Sequence, residues 1–191
     1  MQEFEKVLEF DPSNTEALKV LGWRYSRKAK FDEADRYYRR ALEVDPNDFE
    51  ALYTLAVLQW TRSYQIRQQK RAELKVGQNN PFINSPSCTE IRIENLARIE
   101  DGMTLLKRAI ELVKSYDAES YLSHLYRERA DIQCSDQSAY DQDVNTAVQW
   151  ARRACKTRRD PDRMTISCIS TRCPLPAPPP PAAGQPGACP D

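Results

Sequence analysis

The chain has 191 residues, 40% of them apolar, and its 28 basic residues balance 28 acidic ones. That length has room for a sizeable core, and the charge balance excludes a global field drawing the chain to nucleic acid or an anionic membrane. No apolar run approaches the roughly 20 residues needed to span a bilayer. The opening Met1-Gln2-Glu3-Phe4-Glu5-Lys6 has neither the basic nor the apolar region of a signal peptide, so a cytoplasmic location is the default expectation.

In chain order, the first informative segment is Asp11-Pro12-Ser13-Asn14, because 34 residues later it returns as Asp45-Pro46-Asn47-Asp48. Val7-Leu8-Glu9 likewise returns as Ala41-Leu42-Glu43. Between the two prolines, Ala17, Leu18, Leu21, Gly22 and Tyr25 form one stripe of a helix, and Phe31, Ala34, Tyr38, Ala41 and Leu42 form a second. The small residues Gly22, Ala34 and Ala41 suit a close helix crossing. Asp45-Pro46 stops the second helix, since proline lacks an amide proton and restricts the residue before it. A unit of this length cannot bury its apolar face alone and must stack on a neighbour.

The pattern Leu18, Leu21, Gly22, Tyr25, Phe31, Ala34, Tyr38, Ala41, Pro46 resembles the tetratricopeptide repeat, with departures at Leu18, where that family often has Trp, and at Ala29, where it often has a turn glycine. The resemblance implies an all-α fold: antiparallel helix-turn-helix units stacked as an α-solenoid. Phe4, Val7 and Leu8 align with Tyr38, Ala41 and Leu42, so residues 1–14 read as the second helix of a truncated or capping unit, a fragment of a longer protein being the preferred of the two. Residues 15–48 are the complete unit.

The next unit, 49–116, opens with Ala51, Leu52, Leu55 and Ala56, but its second helix fits Gly102, Leu106, Ala109 and Ile110, too far along. Residues 49–76 contain neither Gly nor Pro, so the preferred reading is one long helix running toward Val76, a loop, and re-entry near Glu90, with about 61–95 as an insertion. A degenerate helix over 66–76 is the alternative. A third, less regular pair covers 117–160, its stripes being Ala118, Leu122, Leu125, Tyr126, Ala130 and then Tyr140, Val144, Ala147, Val148, Ala151, Ala154. The segments Tyr121–Arg127 and Ala147–Trp150 look like those of bacterial proteins in which an insertion splits one such unit. Residues 161–191 read as a disordered tail, since 174–191 hold eight of the thirteen prolines and no periodic apolar face.

Chemistry-bearing constellations are sparse. A lone histidine, His124, cannot form a metal cluster or most triads, and five scattered glycines build no phosphate loop. The six cysteines lack the paired short spacings of zinc sites, and independent free thiols are the expectation for them. No catalytic residue, metal or cofactor is expected. The basic run Arg152 to Arg159 suits the negative end of a helix dipole.

The family resemblance implies that the first helix of each unit lines a concave face. Glu16, Lys19, Trp23 and Ser26, then Glu50, Tyr53, Val57 and Trp60, then His124 and Arg127 are the candidate protein-binding residues, two tryptophans and a tyrosine among them. One subclass of the family grips acidic chaperone tails with Lys, Arg and Asn. Lys19 fits, but Trp23, Tyr53 and Val57 do not, which argues against that partner. The expected function is a non-catalytic scaffold binding a peptide or protein segment, with an accessory region of a larger multidomain protein as the alternative.

Overall fold

The structure, a computed structural model, describes residues 2–77, 82 and 87–159, so the proline-rich tail lies outside the described residues. Among the described residues seven helices follow in order: α1 (Gln2–Phe10), α2 (Thr15–Ser26), α3 (Phe31–Val44), α4 (Phe49–Leu74), α5 (Ser87–Leu112), α6 (Tyr116–Asp131) and α7 (Gln137–Arg159). Pairs pack as α2 on α3, α4 on α5 and α6 on α7, and successive pairs join through α3–α4 and α5–α6. The fold is thus an all-α stack of antiparallel helix pairs.

The sequence repeat is a repeat of hydrogen bonds. Asp11 Oδ1 accepts from the Ser13 amide at 3.1 Å, and Asp45 Oδ1 from the Asn47 amide at 2.9 Å. Three residues past each aspartate, Asn14 and Asp48 cap α2 and α4, accepting from the amides of Ala17 and Ala51 at 2.9 Å each. Each cap satisfies a helix donor that would otherwise lack a partner. Both turns therefore set the entry of the next helix in the same way.

The close crossing sits where the small residues lie. Leu18, Leu21, Gly22, Ala34, Tyr38 and Ala41 are buried, and a methyl built on Gly22 would stand 2.9 Å from the Tyr38 ring. At the turn between α2 and α3, Ala29 takes φ 55°, the left-handed region, which is why that position favours glycine in such units. At the N-terminal edge the Phe4 ring lies under the Arg24 guanidinium at 5.1 Å, while Phe10 is 89% exposed.

α4 and α5 have 26 residues each, against 12 and 14 in α2 and α3. With no Gly or Pro to interrupt it, α4 continues to Leu74 and stops where Lys75 turns left-handed at φ 53°. The far end of this long hairpin is tied to the end of α6. Arg67 donates to both carboxylate oxygens of Glu128 at 2.7 and 2.8 Å and to Asp131 at 2.7 Å. Arg71 donates to Asp131 at 2.9 Å and to the Gly77 carbonyl at 2.6 Å, and its guanidinium lies 4.7 Å above the Phe82 ring. Such buried charges are stable only because they are paired and multiply hydrogen-bonded.

Cys88 and Cys134 form a disulfide at the same place, their Cα atoms 5.5 Å apart. Cys155 is disulfide-bonded as well, so the expectation of independent free thiols is corrected for these three cysteines. Sequence spacing could not show the first bridge. Its halves are 46 residues apart and meet only because the long hairpin folds back onto α6.

Candidate functional site

The N-caps put α2, α4 and α6 in a common register. Ser115 Oγ accepts from the Ala118 amide at 3.2 Å, as Asp48 and Asn14 accept from Ala51 and Ala17 one and two units earlier. Counting from the caps, Glu16, Glu50 and Asp117 occupy one position; Lys19, Tyr53 and Ser120 the next; Trp23, Val57 and His124 another; and Ser26, Trp60 and Arg127 the last. These positions hold all ten candidate residues and add Asp117 and Ser120. The sequence signal for Asp117 was available: it stands two after its cap Ser115, as Glu16 stands two after Asn14 and Glu50 two after Asp48.

Lys19 is the electrostatic link between α2 and α4. Its ammonium lies 2.9 Å from Asp48, 2.9 Å from Glu50 and 3.8 Å from Glu16. Burial opposes its charge, but the carboxylates of Asp48 and Glu50 outweigh that and hold its pKa above the ordinary lysine value. Glu16 and Glu50 are exposed, Trp23 is half-buried, and Ser26 is buried with its hydroxyl donating to the Trp23 carbonyl at 2.7 Å.

Between α4 and α6 the same face is aromatic and largely closed. Tyr53 stacks on Phe49 at 6.1 Å and meets Tyr121 edge-on at 5.8 Å. Trp60 meets Tyr121 at 5.3 Å, stacks on Tyr64 at 5.1 Å and lies 5.9 Å from His124. Tyr53, Val57 and Trp60 are accordingly 5%, 1% and 6% exposed, so α6 and its neighbours cover most of the surface that these three residues were expected to offer. Trp60 Nε1 is buried without an acceptor among the described residues. An orphan donor of that kind is uncommon.

His124 is half-buried beside Trp60 and Tyr121. Burial, helped by the cations Arg127 and Arg67, pushes its pKa down to about 4, so the imidazole is neutral at pH 7. Asp117 shifts the other way, raised by burial. Burial also raises the hydroxyls of Tyr53 and Tyr121, with the nearby Asp117 charge adding to both. The face is therefore acidic at the cap end of the three helices and aromatic in the middle. Arg127 stands at the far end.

Among the described residues no group of three or more His, Cys, Asp or Glu is placed to hold a metal ion, and no helix is long and apolar enough to cross a membrane. Residues 15–48 match the tetratricopeptide repeat family. A 55-residue stretch is 44% identical to the Protein CTR9 homolog of Arabidopsis thaliana, covering 29% of this chain and 5% of that protein's length.

Proposed function

We propose, this chain being a tetratricopeptide-repeat protein, that it is a non-catalytic scaffold which binds a peptide or protein segment along the face shared by α2, α4 and α6. Repeats of this kind are interaction modules, and stacked units present extended surfaces from equivalent helices. The observation that carries the reading is the common register of the three N-caps, which aligns one row of residues across three helices. Glu16, Lys19, Trp23, Glu50, Asp117, His124 and Arg127 supply its accessible groups, with Tyr53, Val57 and Trp60 as the apolar floor beneath. We read residues 49–116 as one unit whose extension, about 61–95, is an insertion braced against the third unit, 117–160.

A photo-cross-linking residue at Glu16 on α2, compared with one at Arg36 on the outer helix α3, tests the choice of face. Cross-linking to bound polypeptide from position 16 and not from 36 is the expected result. The reverse pattern overturns it.

The accessory-region reading has one observation in its favour: the matched stretch is 5% of its plant relative. The open reading frame around this sequence decides it, since a catalytic or transport domain in the same frame would make the scaffold one part of a larger protein.

A further inference from the structure

The register of the repeats exposes an ion pair that is complete in one place and half-made in the next. Lys19 on α2 reaches across to Glu50 on α4 at 2.9 Å. One unit later the residue at the Lys19 position is Tyr53 and the residue at the Glu50 position is Asp117. The acid is kept and the cation is replaced by an aromatic ring. Asp117, half-buried, forms no ion pair and no hydrogen bond among the described residues, and the position corresponding to Lys19 on its own helix is Ser120. Tyr121, one turn further along α6, lies on the same side and packs its ring edge-on to Tyr53 at 5.8 Å. Tyr53 and Tyr121 are 5% and 3% exposed, and their hydroxyls, which have no partner among the described residues, keep contact with solvent.

An acid in the first turn of a helix is favoured by the dipole, which explains a carboxylate there but not its partial burial without an ion pair beside two phenolic hydroxyls open to solvent. A partly desolvated carboxylate with accessible phenolic hydroxyls beside it is an arrangement that attracts an ammonium or guanidinium by charge-assisted hydrogen bonding. We propose that Asp117, Tyr53 and Tyr121 form a seat for one Lys or Arg side chain of a bound polypeptide, which takes the place that Lys19 fills from within the chain one unit earlier. This rests on the inner-face reading and adds the chemistry of the partner: a segment with a basic anchor.

Panning the full chain against a random heptapeptide phage library, with selected peptides measured by fluorescence anisotropy, supplies the probe. The selected peptides should share a Lys or Arg. Replacing that residue by Gln should weaken binding about tenfold or more. Asp117→Asn should cost as much, and the two losses should not add, while Asp117→Glu should retain most of the affinity. Ser120→Lys leaves the acid intact and supplies an internal cation, so it should also weaken the basic peptides. A basic residue whose loss is felt equally by the wild type and Asp117→Asn, or binders with no shared cation, overturns the seat. If Trp23→Ala then still weakens those peptides, the inner face stands without it. If neither Trp23→Ala nor Asp117→Asn has an effect, both readings fail.

Discussion

Cys88, at the head of α5, is disulfide-bonded to Cys134, three residues past the end of α6. The bridge closes a loop with a sequence separation of 46 and lies beside the Arg67–Glu128 and Arg71–Asp131 pairs. Covalent and ionic ties thus secure the same junction, between the long hairpin and the third pair.

Removing the bridge should therefore cost stability at that junction. A loop of this size corresponds to about 4 kcal/mol in the chain-entropy estimate, of which 2–4 is the usual yield. The double variant Cys88→Ala/Cys134→Ala should show a lower urea midpoint than the wild type under oxidising conditions. A midpoint unchanged by the double substitution would mean that the ion pairs alone hold the hairpin.

Ala29 offers a gain instead of a loss. Its φ of 55° places a side chain where L-residues are strained, and it is exposed, so glycine removes strain without removing contacts. Left-handed geometry costs a non-glycine residue about 1–2 kcal/mol, part of which glycine returns as entropy of the unfolded chain. Ala29→Gly should raise stability by about 0.5–1 kcal/mol in chemical denaturation. A decrease would show that the turn is not held in this conformation.

The α2–α3 crossing is tight on both sides. At Gly22 an added Cβ would stand 2.9–3.0 Å from the buried Tyr38 ring, and Ala34 is 0% exposed. Gly22→Ala gains about 1 kcal/mol of helix propensity, but the ring must move to admit the methyl. Ala34→Leu has no such offset and should cost roughly 1–3 kcal/mol by overpacking. The thermal midpoint should fall clearly for Ala34→Leu and less for Gly22→Ala. An unchanged midpoint for Ala34→Leu would sink the register.

The first complete unit was legible because its determinants are local. Pro12, Pro46 and the stripes of α2 and α3 state the period, the crossing and the stop within 34 residues of each other, and the buried set agrees with them. The length of α4 was legible for the opposite reason, as no residue in it signals an end. What escaped depends on distance in sequence. The Cys88–Cys134 bridge and the Arg67–Glu128 pair join segments 46 and 61 residues apart, and no periodicity reports on them. Burial of Tyr53 and Trp60 was hidden for the same reason, because the rings that cover them, Tyr121 and His124, belong to α6. Helical phase placed those residues on one side of α4 but could not say what lies above them.

Acid should act on His124. Its pKa in the folded chain is about 4, below the ordinary value of 6.5, so the unfolded chain binds more protons between those values. Its contribution is fully present above pH 6.5 and is lost as pH falls toward 4. His124→Gln should flatten that part of the stability profile, read as urea midpoints from pH 7 to 4. A wild-type profile no steeper than the variant's would show that the imidazole is solvated.

The functional prediction turns on two residues of one helix. Leu21 is 0% exposed and belongs to the packing stripe, whereas Trp23 is half-buried and lies about 200° further round α2. Trp23→Ala should weaken capture of a polypeptide partner by about 1 kcal/mol or more. It should disturb stability less than Leu21→Ala, for which roughly 2–5 kcal/mol is expected. Tyr53→Ala gives a different outcome, because its ring is stacked on Phe49 and wedged against Tyr121, and both stability and capture should fall together. Only Trp23 separates the two effects cleanly. Binding measured beside thermal midpoints for all three variants decides the matter: capture that survives Trp23→Ala in a folded protein moves the binding face away from α2.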